Sequence, residues 1–193
     1  MSSITSVSPR TLADAIPGGL VRNIALVAGG AGFVGLAAQA AVPLPYTPVP
    51  LTLGTFAVLL TVAVLGSKRG LLSMGLYAVA GMAGMPWFSD GRAGWAFASF
   101  GYILGYILAA ALVGKLAERG GDRTTLKAVG TMLLGNLAIY AVGVPWLMAQ
   151  TGMDLATALA KGVVPFLIGD AIKTLVAAAL LPATWKVVNS RQP

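Results

Sequence analysis

Long intervals without a charged side chain constrain this chain more than any motif in it. No Asp, Glu, Lys or Arg occurs between Arg22 and Lys68, Arg69 and Asp90, Arg92 and Lys115, or Lys127 and Asp154. A helix needs about 20 predominantly apolar residues to cross the hydrocarbon core of a bilayer. The first interval is long enough for two crossings, and Pro43, Pro45, Pro48 and Pro50 divide it. Proline removes a helical donor and biases its predecessor toward extended backbone, so PLPYTPVPLT reads as an extended loop between spans. The pattern predicts six helices over roughly 23–42, 52–66, 70–86, 94–116, 126–149 and 164–185.

Hydrophobic residues make up 57% of the chain and charged residues 10%, whereas a soluble domain carries about 25% charged residues. Such a chain cannot cover a water-facing surface. The expectation is an all-α integral membrane protein with six transmembrane helices. Residues 1–22 form an N-terminal tail, 23–186 the membrane domain and 187–193 a C-terminal tail. The sequence has no Cys and no His, which removes disulfides, thiol nucleophiles and the commonest metal ligand and general base. Neither a metal nor a cofactor is expected.

The net charge of +7 does not point to nucleic acid, because the cations fall in short gaps rather than along a basic stripe. Ten lie at the N-terminus, between helices two and three, between four and five, and after six; the alternate loops hold only Arg92 and Lys161. Positive charge concentrates on cytoplasmic loops, so both termini are expected on the cytoplasmic side of the cell membrane.

Asp170 and Lys173, in PFLIGDAIKTLV, break the apolar pattern of the last helix. A charge at the centre of a membrane helix costs about 2.5–3.5 kcal/mol on insertion scales. At a spacing of three residues the two side chains share a helix face, either neutralising each other or lining a polar site. Asp170 lies about 8 Å inside a helix that starts near Pro165, in the outer half of the bilayer. A cavity there would open to the outside. Asn136 and Tyr140 also share a face, free either for a ligand or for a hydrogen bond to a neighbouring helix. Tyr46, Trp87 and Trp146 belong to or border the external loops, where aromatic rings either anchor the interface or cover a site. Gln39 is similarly placed.

The first helix carries small residues at Ala25, Ala28, Gly29 and Gly32. Small residues let helix backbones approach closely in lipid, inside the bundle or against another membrane protein. GSKRG lacks the spacing of a phosphate-binding loop, so any ATP-driven step belongs to another subunit.

VPLPYTPVPLTLGTFAVLL, GSKRG with GLLSMGLYAVAGMAGMPWFSDG, GNLAIYAVGVPWL and GVVPFLIGDAIKTLVAA resemble, in order, the signature segments of the BioY family. Its members are the biotin-binding S components of energy-coupling factor (ECF) transporters. The resemblance implies a six-helix S-component fold that captures biotin in a cavity beneath the first loop. It also implies a membrane coupling subunit and two cytoplasmic ATPases as partners. Asp170 and Lys173 match the family's G-D-x-x-K. Tyr46, Tyr102, Asn136, Tyr140, Trp87 and the loop cation Arg92 are further ligand-binding candidates. Ala25, Ala28, Gly29 and Gly32 become the candidate docking face for the coupling subunit. Two departures stand out: Gly54 replaces a glutamine common in the family, and Ala98-Ser99-Phe100-Gly101-Tyr102 replaces P-T-G-G-Y. The readings set beside biotin capture are an S component for another vitamin, an intramembrane enzyme using Lys173, and a passive scaffold.

Overall fold

Gly66 is the hinge of the architecture. In the computed structural model, which describes residues 10–190, its φ of 80° and ψ of 177° interrupt the helix α2 (Gly54–Met82). A side chain disfavours that backbone conformation, and glycine tolerates it. The chain reverses there. A β-carbon on Gly70 would stand 3.1 Å from Val62 Cγ1, and one on Gly30 would meet both Ser73 and Thr61. Residues eight apart in a straight helix are separated by about 12 Å, so 54–65 and 67–82 lie against each other. This reversal falls at the break expected between the helices 52–66 and 70–86.

The other helices are α1 (Leu20–Gln39), α3 (Phe100–Glu118), α4 (Thr125–Thr151), α5 (Leu155–Gly162) and α6 (Leu167–Ser190). Five helical stretches of the described residues are long and apolar enough to cross a membrane: α1, α2, α3, α4 and the stretch Leu155–Ser190. The fold is thus mostly helical, with α2, α3 and α4 packed in sequence and α1 and α6 on their flanks.

The boundaries depart from expectation where glycine and proline act. The second half of α2 stops at Met82 rather than 86, because Gly84 takes a φ of 111° and Pro86 follows. α3 starts at Phe100 rather than 94, after Gly91 and Gly94, which also have positive φ. α5 was not predicted. Asp154 caps it by accepting from the Thr157 amide at 2.9 Å, and a single turn of 3-10 helix, Val164–Phe166, leads into α6.

At one end, the proline-rich segment 43–50 is closed by a two-residue hairpin of β1 (Ala41–Val42) and β2 (Leu51–Thr52). Val49 and Pro50 turn inward and are buried. Thr47 Oγ1 donates to the Lys161 carbonyl at 2.7 Å, which fastens this loop to α5.

At the other end, part of the segment expected as a tail is docked. Leu12 and Ala13 are buried in a short 3-10 turn, Leu12–Ala15, and Asp14 pairs with Arg69 at 2.9 Å. Burial pushes the Asp14 carboxyl up, but the hydrogen bonds and charge of Arg69, with Thr11, outweigh it and hold its pKa below the ordinary carboxylate value. The Ser67 amide donates to Glu118 at 2.8 Å, tying α3 to the Gly66 turn. Residues 187–190, expected as tail, continue α6. Residues 1–9 and 191–193 of the expected tails lie outside the described residues.

Candidate functional site

α6 begins beneath the first loop, and its first turn carries Asp170, which is 6% exposed. Lys173 Nζ donates to Asp170 Oδ1 at 3.1 Å and to Thr55 Oγ1 at 3.0 Å. The Tyr140 hydroxyl donates to the other oxygen, Asp170 Oδ2. Three elements, α2, α4 and α6, therefore converge on one ion pair. Charged groups this deep persist only when paired and hydrogen-bonded, and here the carboxylate has a donor on each oxygen.

The pair faces a narrow cavity of about 50 Å³. Its other walls are largely apolar or aromatic. Val49 and Pro50 close it from the loop, Phe166 borders it beside α6, and Tyr77, Tyr102 and Tyr106 line it from α2 and α3. The Tyr102 ring meets Tyr140 edge to face at 6.3 Å, while Tyr77 and Tyr106 stack at 6.3 Å. The Tyr102 hydroxyl donates to the Gly162 carbonyl at 2.8 Å, so that ring is fixed in place by α5. An apolar slot ending in an ion pair suits a small ligand with a flat or greasy body and hydrogen-bonding polar ends. Among the described residues no group of three or more acidic side chains is placed to hold a metal.

Asp170, Lys173, Tyr140 and Tyr102 thus meet at this cavity. Asn136 does not line it; it borders a small second cavity behind Lys173, with Thr55, Met132 and Thr174. Tyr46, Trp87 and Arg92 are also absent from the cavity lining. Tyr46 sits at the exposed loop tip, 58% accessible. The Trp87 indole N–H is taken by the Tyr77 carbonyl at 2.9 Å, and its ring packs on Gly35 and Tyr77. Arg92 is exposed beside Asp90 at 3.8 Å and over the Phe97 ring at 5.8 Å. Gln39 pins the second loop, donating to the Trp87 and Phe88 carbonyls at 2.9 and 3.1 Å.

Thr55, Tyr106 and Tyr77 were not foreseen. They are neutral side chains in apolar helices, with no charge anomaly to flag them. The spacing of Tyr102 and Tyr106, one helical turn apart, was the signal available. Gly54 explains part of this: the Tyr106 hydroxyl lies 3.3 Å from where a β-carbon at 54 would stand. Phe100 does not intrude on the cavity; it joins an aromatic cluster with Phe88, Phe97 and Trp146. Ala25, Ala28, Gly29 and Gly32 lie on the exposed side of α1. A β-carbon on Gly29 or Gly32 would meet nothing within 4 Å, so these residues do not pack inside the bundle.

A bundle of membrane-length helices with a covered cavity and a buried ion pair at its wall is the architecture of a protein suited to holding a small solute. The BioY family model matches residues 5–190, and the chain belongs to that family. It is 37% identical over 142 residues to the biotin transporter BioY of Thermotoga maritima, covering 72% of this chain and 82% of that one. It is 35% identical over 156 residues to a probable biotin transporter BioY of Pyrococcus horikoshii, covering 81% and 91%. The crystal structure of the S component for biotin from an ECF-type ABC transporter superposes with a TM-score of 0.75 at 22% identity, covering 86% of this chain and 92% of that one. That likeness establishes the fold. The relatives are transporters, and none of those compared is described as an enzyme.

Proposed function

We propose that this chain captures biotin from outside the cell and presents it for uptake, with the Asp170–Lys173 pair as its polar clamp. The observation that carries the reading is this pair, held by Tyr140 and Thr55 at the wall of a cavity roofed by the first loop. Biotin joins a neutral ureido ring, with two N–H donors and a carbonyl acceptor, to an anionic tail. A carboxylate accepts from the ureido N–H groups, and an ammonium holds an anion or a carbonyl oxygen. Tyr102 and Tyr106 supply faces for the bicyclic body. The names of the relatives support biotin over other vitamins.

In this reading residues 23–186 cross the membrane six times, the halves of α2 counting as two short spans. The distribution of Lys and Arg favours cytoplasmic termini, which opens the cavity outward. The exposed small residues Ala25, Ala28, Gly29 and Gly32 dock the membrane coupling subunit, whose two ATPases drive transport. Tyr46, with Trp87 and Arg92 on the second loop, acts at the rim rather than within the site, and Asn136 supports Lys173 from behind.

Titration calorimetry of the detergent-purified chain tests the reading. Saturable biotin binding, undisturbed by excess riboflavin, thiamine or folate, is the expected result. Binding of one of those vitamins with biotin inert would transfer the assignment to another S component.

A further inference from the structure

A second groove lies at the opposite end of the molecule, between α1 and the 67–82 half of α2. It offers about 780 Å³ and is open along one side. Its upper rim carries Arg10, Lys68 and Arg69 together with the carboxylates of Asp14 and Glu118; its floor is largely aliphatic, with Leu20, Ile24, Leu72 and Leu76. Those four apolar side chains are all exposed, and so are Arg10 and Lys68. Arg69 is committed to Asp14 and Asn23, and the carboxylate of Glu118 accepts from the Ser67 amide. Arg10 and Lys68 take part in no ion pair among the described residues.

We infer that this groove holds an anionic phospholipid. The charge pattern selects that occupant: two free cations stand at the polar rim and a largely aliphatic floor lies below. A phosphodiester accepts hydrogen bonds from ammonium and guanidinium donors. From Lys68 to Leu76 the helix descends about 12 Å, close to the ~15 Å depth of one hydrocarbon leaflet. An acyl chain hung from the rim therefore runs along Leu72 and Leu76 on one wall and Ile24 on the other. The inference rests on the proposed orientation, which sets this rim at the cytoplasmic leaflet, where anionic lipid attracts basic side chains. It is independent of what the outward cavity binds, and because Ala28 of the docking face also lines the groove, the lipid occupies the chain while the coupling subunit is undocked.

Native mass spectrometry of the full chain released from detergent tests this directly. The probes are dioleoylphosphatidylglycerol, dioleoylphosphatidylcholine and inorganic phosphate at equal concentration. Phosphatidylglycerol should be retained about 25-fold more than phosphatidylcholine, at about fivefold for each of the two surface cations. Free phosphate should neither bind nor compete. The double variant Arg10→Gln/Lys68→Gln should erase the preference, and Leu72→Trp, which fills the floor with charges intact, should reduce retention of both lipids. Equal retention of the two lipids by the unaltered chain would overturn the inference and leave the groove to a partner protein. So would a preference that survives the double variant. Biotin binding measured on the same samples separates this outcome from failure of the outward site.

Discussion

Two carboxylates are buried among the described residues, Asp170 and Asp122, and their surroundings differ in kind. Asp170 stands at the wall of a cavity, with a donor on each oxygen and a cation beside it. Asp122, in the α3–α4 connection, is fully buried against Trp185 of α6. One oxygen accepts from the indole N–H at 2.7 Å, and the other has no partner among the described residues. The Arg123 guanidinium lies 4.4 Å over the same indole ring. The first carboxylate borders open space; the second joins a loop to the far end of α6. Burial alone does not make a charge functional. What distinguishes Asp170 is open space in front of it.

That contrast can be broken in several ways. The largest effect is expected from Lys173→Met, which strands Asp170 as an unpaired buried charge. Thermal or denaturant unfolding should show a loss of about 3–5 kcal/mol, and biotin binding should disappear. Adding Asp170→Asn to that variant should restore much of the stability and none of the binding. Asp122→Leu should cost about 1–3 kcal/mol by leaving the Trp185 donor unsatisfied, without changing biotin affinity. Asp122→Asn keeps an acceptor for the indole and should fold at least as well as the parent. Thr55→Val removes one hydrogen bond to Lys173 and should weaken biotin binding on the order of tenfold, given about 1.5–3 kcal/mol for bonds to charged groups.

The smallest effect is a pH dependence of opposite sign at two loop carboxylates. Burial raises the Asp122 pKa, against the opposing hydrogen bond from Trp185. Its folded value therefore lies above its unfolded value, and ionised Asp122 costs stability. That cost vanishes as pH falls through the raised pKa. Burial raises the Asp14 pKa, but the hydrogen bonds of Arg69 and Thr11, together with the Arg69 charge, outweigh burial and lower it. Its stabilisation is present above the ordinary carboxylate value and is lost as pH falls through the lowered one. Melting curves across the acid range should show the Asp122 gain abolished in Asp122→Asn and the Asp14 loss blunted in Asp14→Asn.

Charge made much of this molecule legible in advance. Charge-free intervals located α1, both halves of α2, α3 and α4, and the Asp170–Lys173 pair marked the candidate site in the apolar run of α6 because lipid makes ions conspicuous. What escaped was neutral. Thr55 and Tyr106 carry no anomaly within an apolar helix, and α5 hides in a short segment bounded by Asp154 and Lys161. Trp87, by its loop position either an interface anchor or a cover for a site, became a ligand candidate through the family resemblance. Its direction is set by packing on Gly35 and a bond to the Tyr77 carbonyl, which only the fold reveals. Asp122 was overlooked because a charge in a polar connection is unremarkable until Trp185 of α6 is seen to cover it.

The most direct test is a side-by-side biotin titration of Asp170→Asn and Asp122→Asn in the same detergent. Both replace one buried carboxylate by an isosteric amide. Asp170→Asn should lose at least about a hundredfold in affinity, the scale of one charged hydrogen bond left unmade in a desolvated site, while Asp122→Asn binds as the parent does. Parental affinity in Asp170→Asn, or an equal loss in both, would contradict the assignment of Asp170 to the ligand clamp.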